Sequence, residues 1–208
     1  MRLRGCVFTT YVHPLGVRKS SITNVSVIDN VGANEFQYLL RTASFDEVRV
    51  SNFSASGSFY GAILFDGGSP SAIMSLRDLR IANATMLFVA VSRQAPGAVA
   101  QSYEITDMLV QDSTAERNLI VTNASTSLTG FTMLNVTMSS PELFGDFPVI
   151  SGVTVRRSLF NGAAGLLESR MAVPRSVVWA GFDVQASLFR SYFAILRCPP
   201  SVRINVTL

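Results

Sequence analysis

The chain is short of the residues from which most catalytic and metal centres are built: its 208 residues include one histidine, one tryptophan and two cysteines. Any Ser-His-acid, Cys-His or imidazole-ligated metal site would have to form around His13, which lies in Tyr11-Val12-His13-Pro14 and reads as a turn or end-cap residue. Cys6 and Cys198 stand at opposite ends of the sequence. In a stacked repeat they would lie several layers apart, beyond the Cα separation of about 7 Å that a disulfide allows, so no internal bridge is expected. Lysine is nearly absent, and the 17 basic residues are almost all arginine, scattered through a chain of net charge +3. No dense basic run follows from that distribution, and nucleic acid is not expected as a partner.

Long apolar runs are missing too. The longest, 86–91, is far short of the roughly 20 residues that cross a bilayer, so no segment of this chain is expected to span a membrane. Arg2 and Arg4 open the sequence, but Thr9, Thr10, His13 and Pro14 interrupt the apolar residues behind them, and no secretory signal core forms. Phosphate-cradling glycine loops are absent; Gly67-Gly68 reads as a turn. Helical periodicity over ten or more residues is lacking as well, which disfavours helix-hairpin solenoids and βαβ folds.

What is present is a repeated phrase: a large apolar residue with further apolar residues three and five positions on, often followed by Asn or Asp. It reads Ile22-Val25-Val27-Asp29, Phe45-Val48-Val50-Asn52, Leu76-Leu79-Ile81-Asn83, Ile105-Met108-Val110-Asp112, Leu128-Phe131-Met133-Asn135, Ile150-Val153-Val155 and Trp179-Phe182-Val184. Successive phrases are 23, 31, 29, 23, 22 and 29 residues apart, a period that implies stacked structural units. Trp179 opens its phrase and is therefore expected in the core, not as a sugar-stacking platform. A second short apolar segment recurs at 36–40, 61–65, 86–91, 119–121, 143–144, 165–167 and 193–196. These segments are too short for helices and rich in β-branched and aromatic residues, so each unit reads as short strands joined by Gly, Ser, Asn and Pro turns. With 48% apolar against 15% charged residues, the chain has material for an ordered core.

Coils of this length that bury apolar positions and stack on one another form parallel sheets. On these seven phrases the chain resembles the right-handed parallel β-helix of pectin-lyase-like proteins, over about residues 20 to 197. The expected fold is an all-β, right-handed parallel β-helix solenoid of about seven coils. Residues 1–20 are a lead-in or partial coil, 21–197 the β-helix, and 198–208 a C-terminal partial coil that continues into further coils of a larger protein.

Two candidate sites follow. Two residues into successive phrases stand Asn24, Glu47, Asp78 and Asp107, and two further on Ser26, Arg49, Arg80 and Leu109. Stacked in register, Glu47, Asp78 and Asp107 would form a carboxylate ladder with a spacing of about 5 Å. In pectin-lyase-like enzymes acidic residues on this outer sheet bind Ca²⁺ or act as acid. The resemblance therefore implies a Ca²⁺ or acid role for these three and a substrate contact for Arg80, though none of those enzymes' motif strings occurs. The competing reading is a set of solvated ion pairs. Extended loops are expected at 66–75, 92–102 and 168–178, of which the first two would stack and wall one flank of this ladder.

Six N-x-S/T sequons occur, at Asn24, Asn52, Asn83, Asn123, Asn135 and Asn205. Strict alternation along each phrase points Asn52, Asn83 and Asn135 inward, in a polar column with Asp29 and Asp112. That leaves Asn24, Asn123 and Asn205 as the glycosylation candidates. Sequon-bearing repeats such as Ile22-Thr23-Asn24-Val25-Ser26-Val27 and Val48-Arg49-Val50-Ser51-Asn52 are similar in style to the dispersed gene family surface proteins of trypanosomatid parasites. That resemblance implies an extracellular or cell-surface location and an adhesin-like or scaffolding role. Its partner would be a host or matrix glycan or protein, with no cofactor. A polysaccharide lyase or glycoside hydrolase is the alternative.

Overall fold

The computed structural model describes residues 2–4, 19–31, 38–43, 46–66, 72–86, 88–93, 102–116, 120–139, 143–161, 164–165, 167–169, 176–190, 193–194 and 203–207. Within them the structure is all strand: β1 (Arg2–Arg4), β2 (Lys19–Val31), β3 (Tyr38–Ala43), β4 (Glu47–Ser58), β5 (Gly61–Asp66), β6 (Ile73–Met86), β7 (Phe88–Arg93), β8 (Ser102–Ala115) and β9 (Ile120–Met138). These are followed by β10 (Leu143–Arg156), β11 (Leu159–Phe160), β12 (Ala164–Gly165), β13 (Leu167–Ser169), β14 (Ser176–Gln185), β15 (Leu188–Phe189), β16 (Phe193–Ala194) and β17 (Arg203–Thr207). Every strand pairing is parallel, and the principal order is β1-β2-β4-β6-β8-β9-β10-β14-β17. The chain is a parallel β-solenoid, or β-helix.

Register explains the repeated phrase. Ile22, Val50, Leu76, Ile105, Leu128, Ile150 and Trp179 follow one another across paired strands. Val25, Phe53, Leu79, Met108, Phe131, Val153 and Phe182 make a second column, and Val27, Ala55, Ile81, Val110, Met133, Val155 and Val184 a third. From the second coil to the sixth all three columns are buried, with Leu128, Phe131, Met133, Ile150 and Val153 at 0% exposure. Stacking like on like at about 4.8 Å removes each side chain from water on both sides. The second apolar segments stack as well: Leu40, Ile63, Ala90, Ile120, Leu143 and Leu167 form one register column.

Three expectations are corrected. The solenoid makes about four turns, against the seven expected, although the phrase rows continue in register through the principal sheet. The second coil is set five residues further along than the phrase Phe45-Val48-Val50 implies, because Val50, not Phe45, pairs with Ile22 and Leu76. Val48 and Val50 are both buried, but they precede a bend instead of following it. Finally, Asn52, Asn83, Asp112 and Asn135 are exposed, not inward. The expectations for His13, Cys6, Cys198 and the tips of the three long loops fall outside the described residues, as do the side chains of Asp29 and Trp179.

Candidate functional site

The long strands are not straight. Each bends where one residue takes a positive φ, and the bends lie over one another. The first bend column is Asn24 (φ 55°), Asn52 (51°), Asp78 (54°), Asp107 (56°), Gly130 (67°), Gly152 (65°) and Gly181 (69°). The second runs through Asn83 (52°), Asp112 (47°), Asn135 (52°), Arg157 (52°) and Ala186 (49°), and at its start Gly57 (99°) pairs with Ala84 across a register shift. Asn, Asp and Gly are the residues that enter the left-handed region at least cost, so a column of bends selects these types for their backbone. A left-handed residue also resets the alternation of the strand. The side chain after it points inward again, while the bend residue stays outside, and this is why counting parity straight through the bend places the asparagines wrongly.

The acidic ladder takes a different form in this geometry. Asp78 and Asp107 do stack, bracketed by the pairs Arg77↔Thr106 and Leu79↔Met108. Glu47 is not part of the ladder: it opens β4, five residues before the bend at Asn52, pairs in register with Lys19 and Ile73, and accepts hydrogen bonds from Arg49 at 2.8 Å (Nε) and 2.6 Å (Nη2). The place beside Asp78 is taken by Asn52, whose Nδ2 donates to Asn24 Oδ1 at 2.6 Å. On the other side Asp107 faces Gly130 across a very short gap, since a Cβ at Gly130 would meet Asp107 Oδ1 at 2.5 Å. Arg80 is exposed, pairs with Ser54 and Leu109, and donates from Nη2 to Gln111 Oε1 at 3.4 Å. No group of three or more His, Cys, Asp or Glu side chains arranged to hold a metal ion occurs among the described residues.

The second column carries a denser polar network that the sequence reading missed. Asp112 accepts from Asn135 Nδ2 at 2.8 Å on Oδ1 and from Gln111 Nε2 at 2.9 Å on Oδ2. Those two bonds, with the nearby positive charge of Arg157, hold the Asp112 carboxyl below the usual carboxylate range. One bend further along, Arg156 pairs with Asp183 at 2.7 Å and Gln185 donates to the same carboxylate at 2.8 Å, which lowers that carboxyl likewise.

Behind this column runs a ladder of serines. A bend residue turns its peptide out of the sheet, so amide groups of the neighbouring coil lose their carbonyl acceptors. Ser113 Oγ accepts from the Ala84 amide at 3.1 Å and donates to the Gln111 carbonyl at 2.6 Å. Ser158 does the same between the Val136 amide (3.2 Å) and the Arg156 carbonyl (3.0 Å), and Ser187 between the Ser158 amide (3.2 Å) and the Gln185 carbonyl (3.0 Å). Ser113 and Ser158 are buried. The recurrence of serine immediately after the bend position, in Asp112-Ser113, Arg157-Ser158 and Ala186-Ser187, is the sequence signal that could have revealed this ladder.

The bends also account for the sequons. A left-handed Asn, an inward apolar residue and an outward Ser or Thr read N-x-S/T, as in Asn24-Val25-Ser26, Asn52-Phe53-Ser54, Asn83-Ala84-Thr85 and Asn135-Val136-Thr137. Asp or Gly at the same position gives Asp78-Leu79-Arg80 and Gly130-Phe131-Thr132. Asn24 is exposed, whereas the side chains of Asn123 on β9 and Asn205 on β17 lie outside the described residues. In comparisons with known proteins, no family model matches the chain, and no curated protein or solved structure matches it.

Proposed function

We propose that this chain is a non-catalytic β-helical module of a larger surface-exposed protein, acting as a scaffold or adhesin-like binding surface for a host or matrix glycan or protein. The observation that carries this reading is the composition of the first bend column. Asp78 and Asp107 share it with two asparagines and three glycines at the same φ, so the carboxylates are there for a conformation that amide and glycine residues supply equally well. A column selected for acid–base or Ca²⁺ chemistry would not exchange carboxylate for glycine from coil to coil.

The outward positions supply a recognition surface instead. Thr23, Ser51, Arg77, Thr106, Thr129 and Ser151 follow one another across paired strands, repeating hydroxyl and guanidinium groups at intervals of about 4.8 Å. A rigid row of short hydroxyls with an arginine suits the repeating hydroxyl and acidic groups of a polysaccharide, at low affinity per contact.

Two assays on the purified chain test the reading. Reducing-end release from pectin and other acidic polysaccharides is expected to be absent in both wild type and Asp78→Asn. Retention on immobilised heparin or laminin is expected for wild type and Asp78→Asn alike and to fall severalfold in Arg77→Ala. Cleavage by wild type that Asp78→Asn abolishes, with or without added Ca²⁺, would replace this reading with the lyase or hydrolase one.

A further inference from the structure

We infer that Asn83 is an N-glycan acceptor, and that its sugar projects from the second bend column without disturbing the fold. The inference rests on the surface reading, because such transfer occurs on chains entering an export pathway. Of the four sequon asparagines whose side chains are described, two donate their amide nitrogens along the stack: Asn52 Nδ2 to Asn24 Oδ1 and Asn135 Nδ2 to Asp112 Oδ1. Asn24 receives the first of these bonds. Asn83 faces Asp112 across the coil interface but does not donate to its carboxylate, which accepts from Asn135 on Oδ1 and from Gln111 on Oδ2. Among the described residues the Asn83 side chain makes no hydrogen bond.

Position and neighbours fit the chemistry. Asn83 is exposed, and so is Thr85, the hydroxyl residue the acceptor motif requires two positions on, while Ala84 between them is buried as a structural anchor. In the transfer, Asn83 Nδ2 gives up one proton to a base on the transferase and bonds to the anomeric carbon of an oligosaccharide. The bond from that carbon to the carrier's phosphate breaks, and the polyprenyl diphosphate leaves with the electron pair. The product keeps one N–H and adds bulk only on the solvent side.

The test expresses the whole chain behind a secretion signal in a eukaryotic cell and analyses peptides from cells and medium together. N-glycosidase treatment in heavy-oxygen water converts a glycosylated asparagine to a mass-tagged aspartate. The Asn83 peptide is expected to carry the tag in most chains and to lose it in Thr85→Ala, which keeps the bend asparagine. An untagged Asn83 peptide from wild type, or a tag that persists in Thr85→Ala, overturns the inference. A chain tagged at Asn83 that fails to bind heparin or laminin leaves the acceptor assignment standing and counts against the surface-binding reading.

Discussion

Gly130 lies against Asp107 so closely that a Cβ added to the glycine would meet the Asp107 Oδ1 atom at 2.5 Å, and its φ of 67° would strain any side chain placed there. The two residues occupy the same bend in successive coils and solve one problem differently: Asp107 tolerates the left-handed conformation through its short polar side chain, and Gly130 by having none. Their contact requires glycine next to aspartate at this step.

Gly130→Ala is expected to destabilise the chain by about 1–3 kcal/mol, combining positive-φ strain with the clash. Urea denaturation of Gly130→Ala, Asp107→Gly and the double variant separates the two parts. Removing the Asp107 side chain should return the clash component and leave the φ component, giving a favourable coupling energy. Simple additivity of the two single changes would mean that the residues do not meet as described.

Ser158→Ala removes the acceptor of the Val136 amide and leaves a buried N–H without a partner. A loss of about 1–3 kcal/mol is expected. Ser139→Ala, on an exposed residue after β9, serves as the comparison and should stay within about 0.5 kcal/mol. Equal effects of the two changes would remove the serine ladder from the account.

Acid should weaken the second column. The Asp112 carboxyl is depressed in the folded chain by the Asn135 and Gln111 bonds, so its contribution is complete above the ordinary carboxylate range near 4 and fades as pH falls through the lower folded value. Wild type should be slightly more stable than Asp112→Asn at pH 7, and the difference should close toward pH 3. Because the site is exposed the effect is small and salt-sensitive. A difference that widens on acidification contradicts the assignment.

Much of the fold was legible from the sequence because the inward columns are made of large apolar residues at fixed spacing, and the parallel stack follows from that alone. The second coil was not. Val48 and Val50 are two apart before the bend, just as Phe53 and Ala55 are after it, and the small Ala55 hides the true phrase behind the larger Phe45-Val48-Val50 match. The sequons held the correction, since Asn24-Val25-Ser26 and Asn52-Phe53-Ser54 align directly at the structural step. The site was less legible for two reasons: a bend residue is invisible to period-two counting, so Asn52, Asn83 and Asn135 read as inward, and the misplaced second coil put Glu47 where Asn52 stands.

The register of the second coil underlies the start of the first bend column and the isolation of Glu47, and a crosslink reads it directly. Ser54 Oγ donates to Ser26 Oγ at 3.0 Å, and paired positions on neighbouring strands lie about 4.8 Å apart, within disulfide reach. With Cys6 and Cys198 replaced by serine, the pair Ser26→Cys and Ser54→Cys is expected to form an intramolecular disulfide under mild oxidation, detected by peptide mass after digestion. The pair Ser26→Cys and Arg49→Cys, which the 23-residue step would juxtapose, is expected to remain reduced. Oxidation of the second pair and not the first would contradict the second-coil register from which the first bend column starts and Glu47 is left out.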